Sequence, residues 1–145
     1  MPRGFAAIGL FRPKDKSNIG GVLRAAHCYG AAMIAIQGDR SPVSSRQDVT
    51  KAYRHIPVVR ADDLFSLTPY DTVPVAIEFI DSAIPLPRFT HPQRAFYIFG
   101  PEDGSLGKQH IERCKFTVFV PTSFCMNLAA TVNVVLYDRL CKQQV

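Results

Sequence analysis

No C-x-x-C pair occurs in this chain, and none of its four cysteines (Cys28, Cys114, Cys125, Cys141) has a histidine at ligand spacing. A disulfide framework and a zinc site are therefore not expected, and the usage suits a reducing, cytoplasmic location. Cys28, Cys114 and Cys141 read as buried free thiols, the common state of a lone cysteine. Apolar runs stay short of the roughly 20 residues that a membrane span needs. The N-terminal apolar patch has no small-residue cleavage site and breaks off into Arg12-Pro13-Lys14-Asp15-Lys16, as a first strand would and a signal peptide would not. No G-x-G-x-x-G follows that strand, so a Rossmann-type dinucleotide site is not supported. Internal repeats, low-complexity segments and linkers are missing too, which leaves residues 1–145 as a single domain.

With 47% hydrophobic and 20% charged residues the composition is that of a soluble globular protein. Seventeen Lys and Arg against twelve Asp and Glu give a net charge of +5, with the cations gathered in Arg12-Lys14-Lys16, between Arg40 and Arg60, and at Arg88 and Arg94. Such a field favours a polyanion without specifying its sequence, and a merely soluble basic surface has the same composition.

Strand-like and helix-like segments alternate. Gly4–Phe11 reads as a strand, and a helix capped by Ser17 or Asn18 runs to Tyr29 on an apolar face of Ile19, Val22, Leu23 and Ala26. Gly30 closes that helix, and Ala31–Ile36 follows as an uninterrupted apolar strand covered on both faces. This order implies a right-handed parallel crossover. The polar stretch from Gly38 to Ile56 reads as a mobile surface segment with one helical turn near Val49–Tyr53. Beyond it come a short strand at Pro57–Val59, a helix at Asp62–Leu67, and a strand at Val73–Phe79. A rigid proline-rich loop spans Ile84–Pro92, strands occupy 95–99 and 116–120, and a long helix runs from Met126 to about Cys141. The expected fold is α/β, a mostly parallel sheet flanked by helices.

Chemistry concentrates in the last third. The run Ala95–Phe99 delivers the turn Gly100-Pro101-Glu102-Asp103-Gly104-Ser105-Leu106-Gly107, and Phe116–Val120 delivers a loop through Cys125 into Met126-Asn127-Leu128. Carboxyl ends of strands in open α/β sheets are where small ligands bind. Glycine admits backbone close to a ligand, while Met126 and Leu128 can wall an apolar slot.

Three segments, Asn18-Ile19-Gly20-Gly21-Val22-Leu23-Arg24, the Gly100 turn with Glu102, and Cys125-Met126-Asn127-Leu128-Ala129, together resemble the three ordered motifs of the SPOUT methyltransferases. The likeness is to the SpoU/TrmH-type RNA ribose 2′-O-methyltransferases and spans Phe5 to Tyr137. It departs at Cys125, where the family usually has serine, and at Ser105, where a glycine is expected. The resemblance implies a C-terminal deep trefoil knot, a homodimer, and S-adenosyl-L-methionine held in the knotted loops. Glu78, Gly100, Pro101, Gly104, Val120, Cys125, Met126 and Leu128 would then contact the cofactor. It assigns the chemistry to Arg24, Asn18, Glu102 and Asn127. By resemblance an arginine at position 24 activates the ribose hydroxyl. A guanidinium does not readily give up its proton, so a clamp on the ribose and its 3′ phosphate fits better, with phosphate or water taking the proton. Glu102 can orient Arg24 or Asn18, and Asn18 and Asn127 can each serve as helix caps.

RNA is the expected partner, rather than DNA or a membrane, with Arg12, Arg24, Arg46, Lys51 and Arg54 as its contacts. With no separate RNA-binding domain in these residues, the domain is expected to grip RNA itself. It thereby resembles the minimal members that modify the anticodon wobble ribose, which favours tRNA over ribosomal RNA. A non-catalytic RNA-binding protein of the same fold, and a methyltransferase acting on an RNA base, are the alternatives.

Overall fold

The computed structural model describes residues 4–39 and 55–143. Within them seven strands build one sheet in which every pairing is parallel, in the order β3-β2-β1-β6-β4-β7-β5. β1 (Phe5–Phe11), α1 (Lys16–Tyr29), β2 (Met33–Gln37) and β3 (Val58–Ala61) are followed by a 3-10 turn at Leu64–Leu67 and by β4 (Val73–Ile77). The two-residue β5 (Ile84–Pro85), a second 3-10 turn at Leu86–Arg88, β6 (Arg94–Phe99), α2 (Lys108–Glu112), β7 (Phe116–Phe119) and α3 (Leu128–Gln143) complete the chain.

The central strands are apolar along most of their length because both faces of the sheet are covered there, whereas the edge strand β3 exposes Val59 and Arg60. Ile8, Leu10, Ile34, Ile36, Val75, Ile77, Tyr97 and Phe99 point to one face, against Ile19, Val22 and Leu23 of α1 and Val132, Val135 and Leu136 of α3. Their neighbours Ala7, Ala35, Ala76, Phe96 and Ile98 point the other way, against Leu64, Leu106 and the partly buried Ile111. Among the described residues no helix is long and apolar enough to cross a membrane.

Several local expectations are corrected. The cap of α1 is Asp15, whose Oδ1 accepts from Ser17 N at 2.9 Å; neither Ser17 nor Asn18 caps it. The helix does close at Gly30, which takes φ +72°. The segment at 62–67 forms only a 3-10 turn, capped by Asp63. The proline-rich loop contains β5, paired with β7 through Ile84 and Val118. Between Leu106 and β7 the chain forms the short helix α2, and β4 ends at Ile77 rather than at Phe79. The turn expected near residues 49–53 lies outside the described residues. Cysteine burial is also corrected: Cys28 and Cys141 are exposed, like Cys125, and Cys114 is partly buried. Cys28 and Cys141 each stand two positions beyond a buried residue of their helix, Ala26 and Arg139, and so point away from the core. Burial pushes the Cys114 thiol up to about 12.

Two contacts seat α3. At its start, a Cβ built on Gly21 of α1 would stand 2.7 Å from the Ala129 Cβ, so the helices meet there only because residue 21 is glycine. Near its end, the buried Arg139 guanidinium donates to Pro92 O at 2.8 Å, to Gln93 O at 2.7 Å and to Tyr97 Oη at 2.9 Å. The Asp138 carboxylate can only accept, so His91 Nε2–H donates to its Oδ2 at 2.7 Å, and Nδ1 of the neutral imidazole is left to accept from Tyr97 Oη–H at 2.7 Å. Lys142 Nζ closes the group 2.8 Å from Asp138.

Burial holds the His91 imidazole below its ordinary 6.5, against the opposing pull of Asp138. A histidine kept neutral in the fold binds fewer protons than in the unfolded chain. Its contribution is therefore complete above pH 6.5 and is lost as the pH falls through its lower folded value. Thermal unfolding from pH 8 to 5 is expected to show a Tm decline below about pH 6.5 that His91→Phe flattens. Arg139→Leu, which strands buried carbonyls, is expected to cost about 3 kcal/mol in denaturant unfolding at neutral pH.

Candidate functional site

Because β6, β4 and β7 are adjacent and parallel, their carboxyl ends open on one edge of the sheet. The segments leaving them enclose a cleft of about 770 Å³. From β4 come Ile77, Glu78 and Phe79; from β6, Phe99, Gly100, Pro101, Glu102 and Gly104. From β7 and the loop after it come Phe119 and the run Val120–Met126, followed by Leu128 and Thr131 of α3. All eight residues expected to contact a cofactor (Glu78, Gly100, Pro101, Gly104, Val120, Cys125, Met126, Leu128) line this one cleft.

Glu78 sits where the strand stops. Its Oε2 accepts from Leu106 N at 3.0 Å and so straps the far end of the Gly100 turn to β4. A Cβ on Gly100 would lie 3.1 Å from Leu106 N and 3.2 Å from Glu78 Oε2, so glycine is what lets the turn fold this tightly. Among the described residues Glu78 Oε1 makes no hydrogen bond, which leaves an acceptor on the wall of the cleft.

Glu102 reaches from the same turn to the loop between β1 and α1. Its carboxylate accepts from Lys14 N at 3.1 Å, Asp15 N at 2.7 Å and Asn18 Nδ2 at 3.3 Å. Partial burial alone would raise this carboxyl, but the backbone donors of Lys14 and Asp15 and the Asn18 amide outweigh it and hold it below its ordinary value. Of the two partners open from sequence, Glu102 therefore takes Asn18 and not Arg24. Arg24 is exposed on α1, one turn beyond Gly21, and has no hydrogen-bond or ion-pair partner among the described residues. Asn127 caps α3: its Oδ1 accepts from Ala130 N at 2.7 Å and its carbonyl accepts from Thr131 N at 3.0 Å. Its Nδ2 keeps its donors free among the described residues.

Arg12 is exposed just beyond β1, held at φ +52° with its N–H donating to Gln37 O at 2.7 Å, and does not line the cleft. Arg46, Lys51 and Arg54 lie outside the described residues. Sequence reading missed the aromatic part of the wall, Phe79, Phe119 and Phe124, and also Thr131. Phe79 and Phe119 are ordinary strand residues in composition, and only their place at a strand end marks them.

Comparison with known proteins gives the fold a family. The model of the SpoU rRNA methylase family matches residues 6–137. The SpoU methyltransferase AviRb of Streptomyces viridochromogenes, crystallised with AdoMet, superposes with a TM-score of 0.86 at 20% identity, over 99% of this chain and 60% of that one. A TrmH/SpoU tRNA modifying enzyme of A. aeolicus gives 0.84 at 10% identity, over 99% of this chain and 77% of the other. A structure described for the 2-OH methylation of C/U34 on tRNA gives 0.83 at 20% identity and covers 97% of both chains. At such identities the likenesses establish the fold, and this chain spans only about three fifths of the Streptomyces protein. No curated protein sequence matches.

Glu102→Ala removes an acceptor shared by three donors and is expected to lower stability at neutral pH by about 1 kcal/mol, or roughly 3 °C in Tm. With its folded pKa depressed, the contribution of Glu102 is present above its ordinary 4.5 and lost as the pH falls through the folded value. The Tm gap between wild type and variant is therefore expected to close on acidification below that pH. A gap independent of pH would assign the effect to packing.

Proposed function

We propose, from the premise that the chain belongs to the SpoU rRNA methylase family, that it transfers a methyl group from S-adenosylmethionine to a ribose 2′-hydroxyl of RNA, with tRNA as the substrate class. The observation that carries this is the convergence of eight sequence-assigned residues on one cleft, beside a loop that the Glu102 carboxylate ties to Asn18. The solved structures described as a tRNA modifying enzyme and for 2-OH methylation of tRNA support the substrate class.

The residues present fit a nucleoside-bearing cofactor. Buried Ile77, Phe99 and Leu128 offer an apolar slot for a purine. The tight Gly100 turn brings backbone to the wall, and the free Glu78 oxygen suits a ribose hydroxyl. When bound there, S-adenosylmethionine supplies an electrophilic methyl group on its sulfonium. Arg24, which has no partner among the described residues, clamps the target ribose and its 3′ phosphate through paired N–H donors. The hydroxyl proton passes to that phosphate or to water. Asn18 and Glu102 fix the loop from which α1 presents Arg24, and Asn127 contributes its free amide donors beside Leu128.

The domain, residues 1–145, works in this reading as a cytoplasmic homodimer whose C-terminal segment is threaded as a trefoil knot. In support of dimerisation, exposed Tyr137 and Val134 of α3 border an apolar groove of about 580 Å³ with Tyr29, Leu86, Pro87 and Pro121, suited to a second copy of the chain. The insertion of β7 between β4 and β5 supports the threading.

Arg24→Ala is expected to lower turnover by about 100-fold or more while leaving S-adenosylhomocysteine affinity in calorimetry unchanged. Labelled S-adenosylmethionine incubated with total RNA should place the label on a ribose of tRNA. Label on a base would move the chain to the base-modifying alternative, and wild type without S-adenosylhomocysteine binding would leave the non-catalytic one.

A further inference from the structure

Two phenylalanines stand almost wholly in water at the mouth of the cleft: Phe79 is 74% exposed and Phe124 is 87% exposed. Their positions are unlike those of the buried walls. Phe79 follows Glu78 where β4 ends, and its ring meets Phe119 edge-on, with centroids 5.1 Å apart and planes at 85°. That contact fixes the ring and leaves the rest of it bare. Phe124 belongs to the loop between Pro121 and Asn127 and makes no ring contact among the described residues. Unlike the exposed Tyr70 and Tyr137, a phenylalanine has no polar tip that suits it to water. What it presents is apolar area and a π face.

The setting narrows the occupant. Within the same cleft Ile77, Phe99 and Leu128 are buried, whereas these two rings are exposed. On its other side Glu102 borders a second depression, where Lys14 and Lys16 stand among the carboxylates of Asp15, Glu102 and Asp103 and so make no cationic seat of their own. The pull on a polyanion comes instead from the net +5 charge of the whole chain, with Arg12 and Arg24 among its exposed cations. Single-stranded RNA combines both features, phosphates for that charge and unstacked bases for the rings. We infer that Phe79 and Phe124 form a stacking clamp for an unpaired base of the RNA substrate, at or beside the nucleotide whose ribose is methylated. This rests on the RNA methyltransferase reading above. It adds that base capture is aromatic and tolerant of base identity, since every base has a π face.

The chain contains no tryptophan, so Phe124→Trp introduces a single indole at the clamp, excited selectively at wavelengths where the tyrosines do not absorb. Titration with a short oligoadenylate, in the presence of saturating S-adenosylhomocysteine, is expected to quench its emission. In anisotropy measurements with labelled oligoadenylate at saturating S-adenosylhomocysteine, Phe79→Ala and Phe124→Ala are each expected to weaken RNA binding roughly 5- to 150-fold, with Phe124→Trp retaining it. Quenching by S-adenosylhomocysteine alone, with nothing added by oligoadenylate, would assign the ring to the cofactor's adenine and overturn the proposal. Unchanged oligoadenylate affinity in both alanine variants would overturn it as well. Wild type that binds no S-adenosylhomocysteine would instead remove the methyltransferase reading, while oligoadenylate quenching measured without it would still report the stacking.

Discussion

The carboxylate of Glu102 joins two loops that sequence keeps far apart. It accepts from the backbone of Lys14 and Asp15, immediately before α1, and from the Asn18 side chain inside its first turn. A charged acceptor shared by three donors fixes the relative position of the loops more tightly than neutral hydrogen bonds would. The β1–α1 loop carries the basic residues and leads to Arg24, while the loop after β6 forms one wall of the cleft. Without that link the basic loop and the cleft would be joined only indirectly, through the sheet and through the contact of α1 with α3 at Gly21 and Ala129.

α3 is tied down at both ends by different physics. Its first turn is capped by Asn127 and lies against α1 where Gly21 faces Ala129. Near its far end Arg139 takes up carbonyls of the segment before β6, while Tyr97, His91, Asp138 and Lys142 continue the polar group. A buried cation is tolerated there because several of its donors find acceptors. The helix is thus a rigid strut between a polar anchor and the cleft, and Leu128 and Thr131, which line the cleft, inherit that rigidity.

The order of strands and main helices was legible because a parallel sheet covered on both faces needs continuous apolar runs, and Ala6–Leu10 and Ala95–Phe99 are such runs. β5 was hidden by Pro85, a residue that argues against strand and sits here in a two-residue piece at the sheet edge. The cap of α1 was misplaced because Asp15, Ser17 and Asn18 are all competent. The choice falls to tertiary structure, since Glu102 engages Asn18 and leaves Asp15 to accept from Ser17. On the cleft, glycines and polar groups at strand ends carry a sequence signal. Phe79 and Phe119 carry none, because a phenylalanine that ends a strand facing a cavity has the same local pattern as one that ends it in the core.

The site is uneven in how far it is built before any ligand arrives. The walls assigned to the cofactor are fixed by strand ends, by the Glu78 strap and by the cap of α3. The groups assigned to RNA in the proposal, Arg24 and the two exposed phenylalanines, lack polar partners among the described residues or stand in water. Transfer between two bound molecules depends on holding one reacting centre so that the other is aligned against it. In the reaction proposed above, a rigid cofactor side would set the direction of attack. An exposed guanidinium and open ring faces would then adapt to a polymer whose backbone differs from one site to the next, and the ordering of those side chains would fall on RNA binding. In that scheme affinity for RNA would be kept modest, which suits release of a product differing from its substrate by one methyl group.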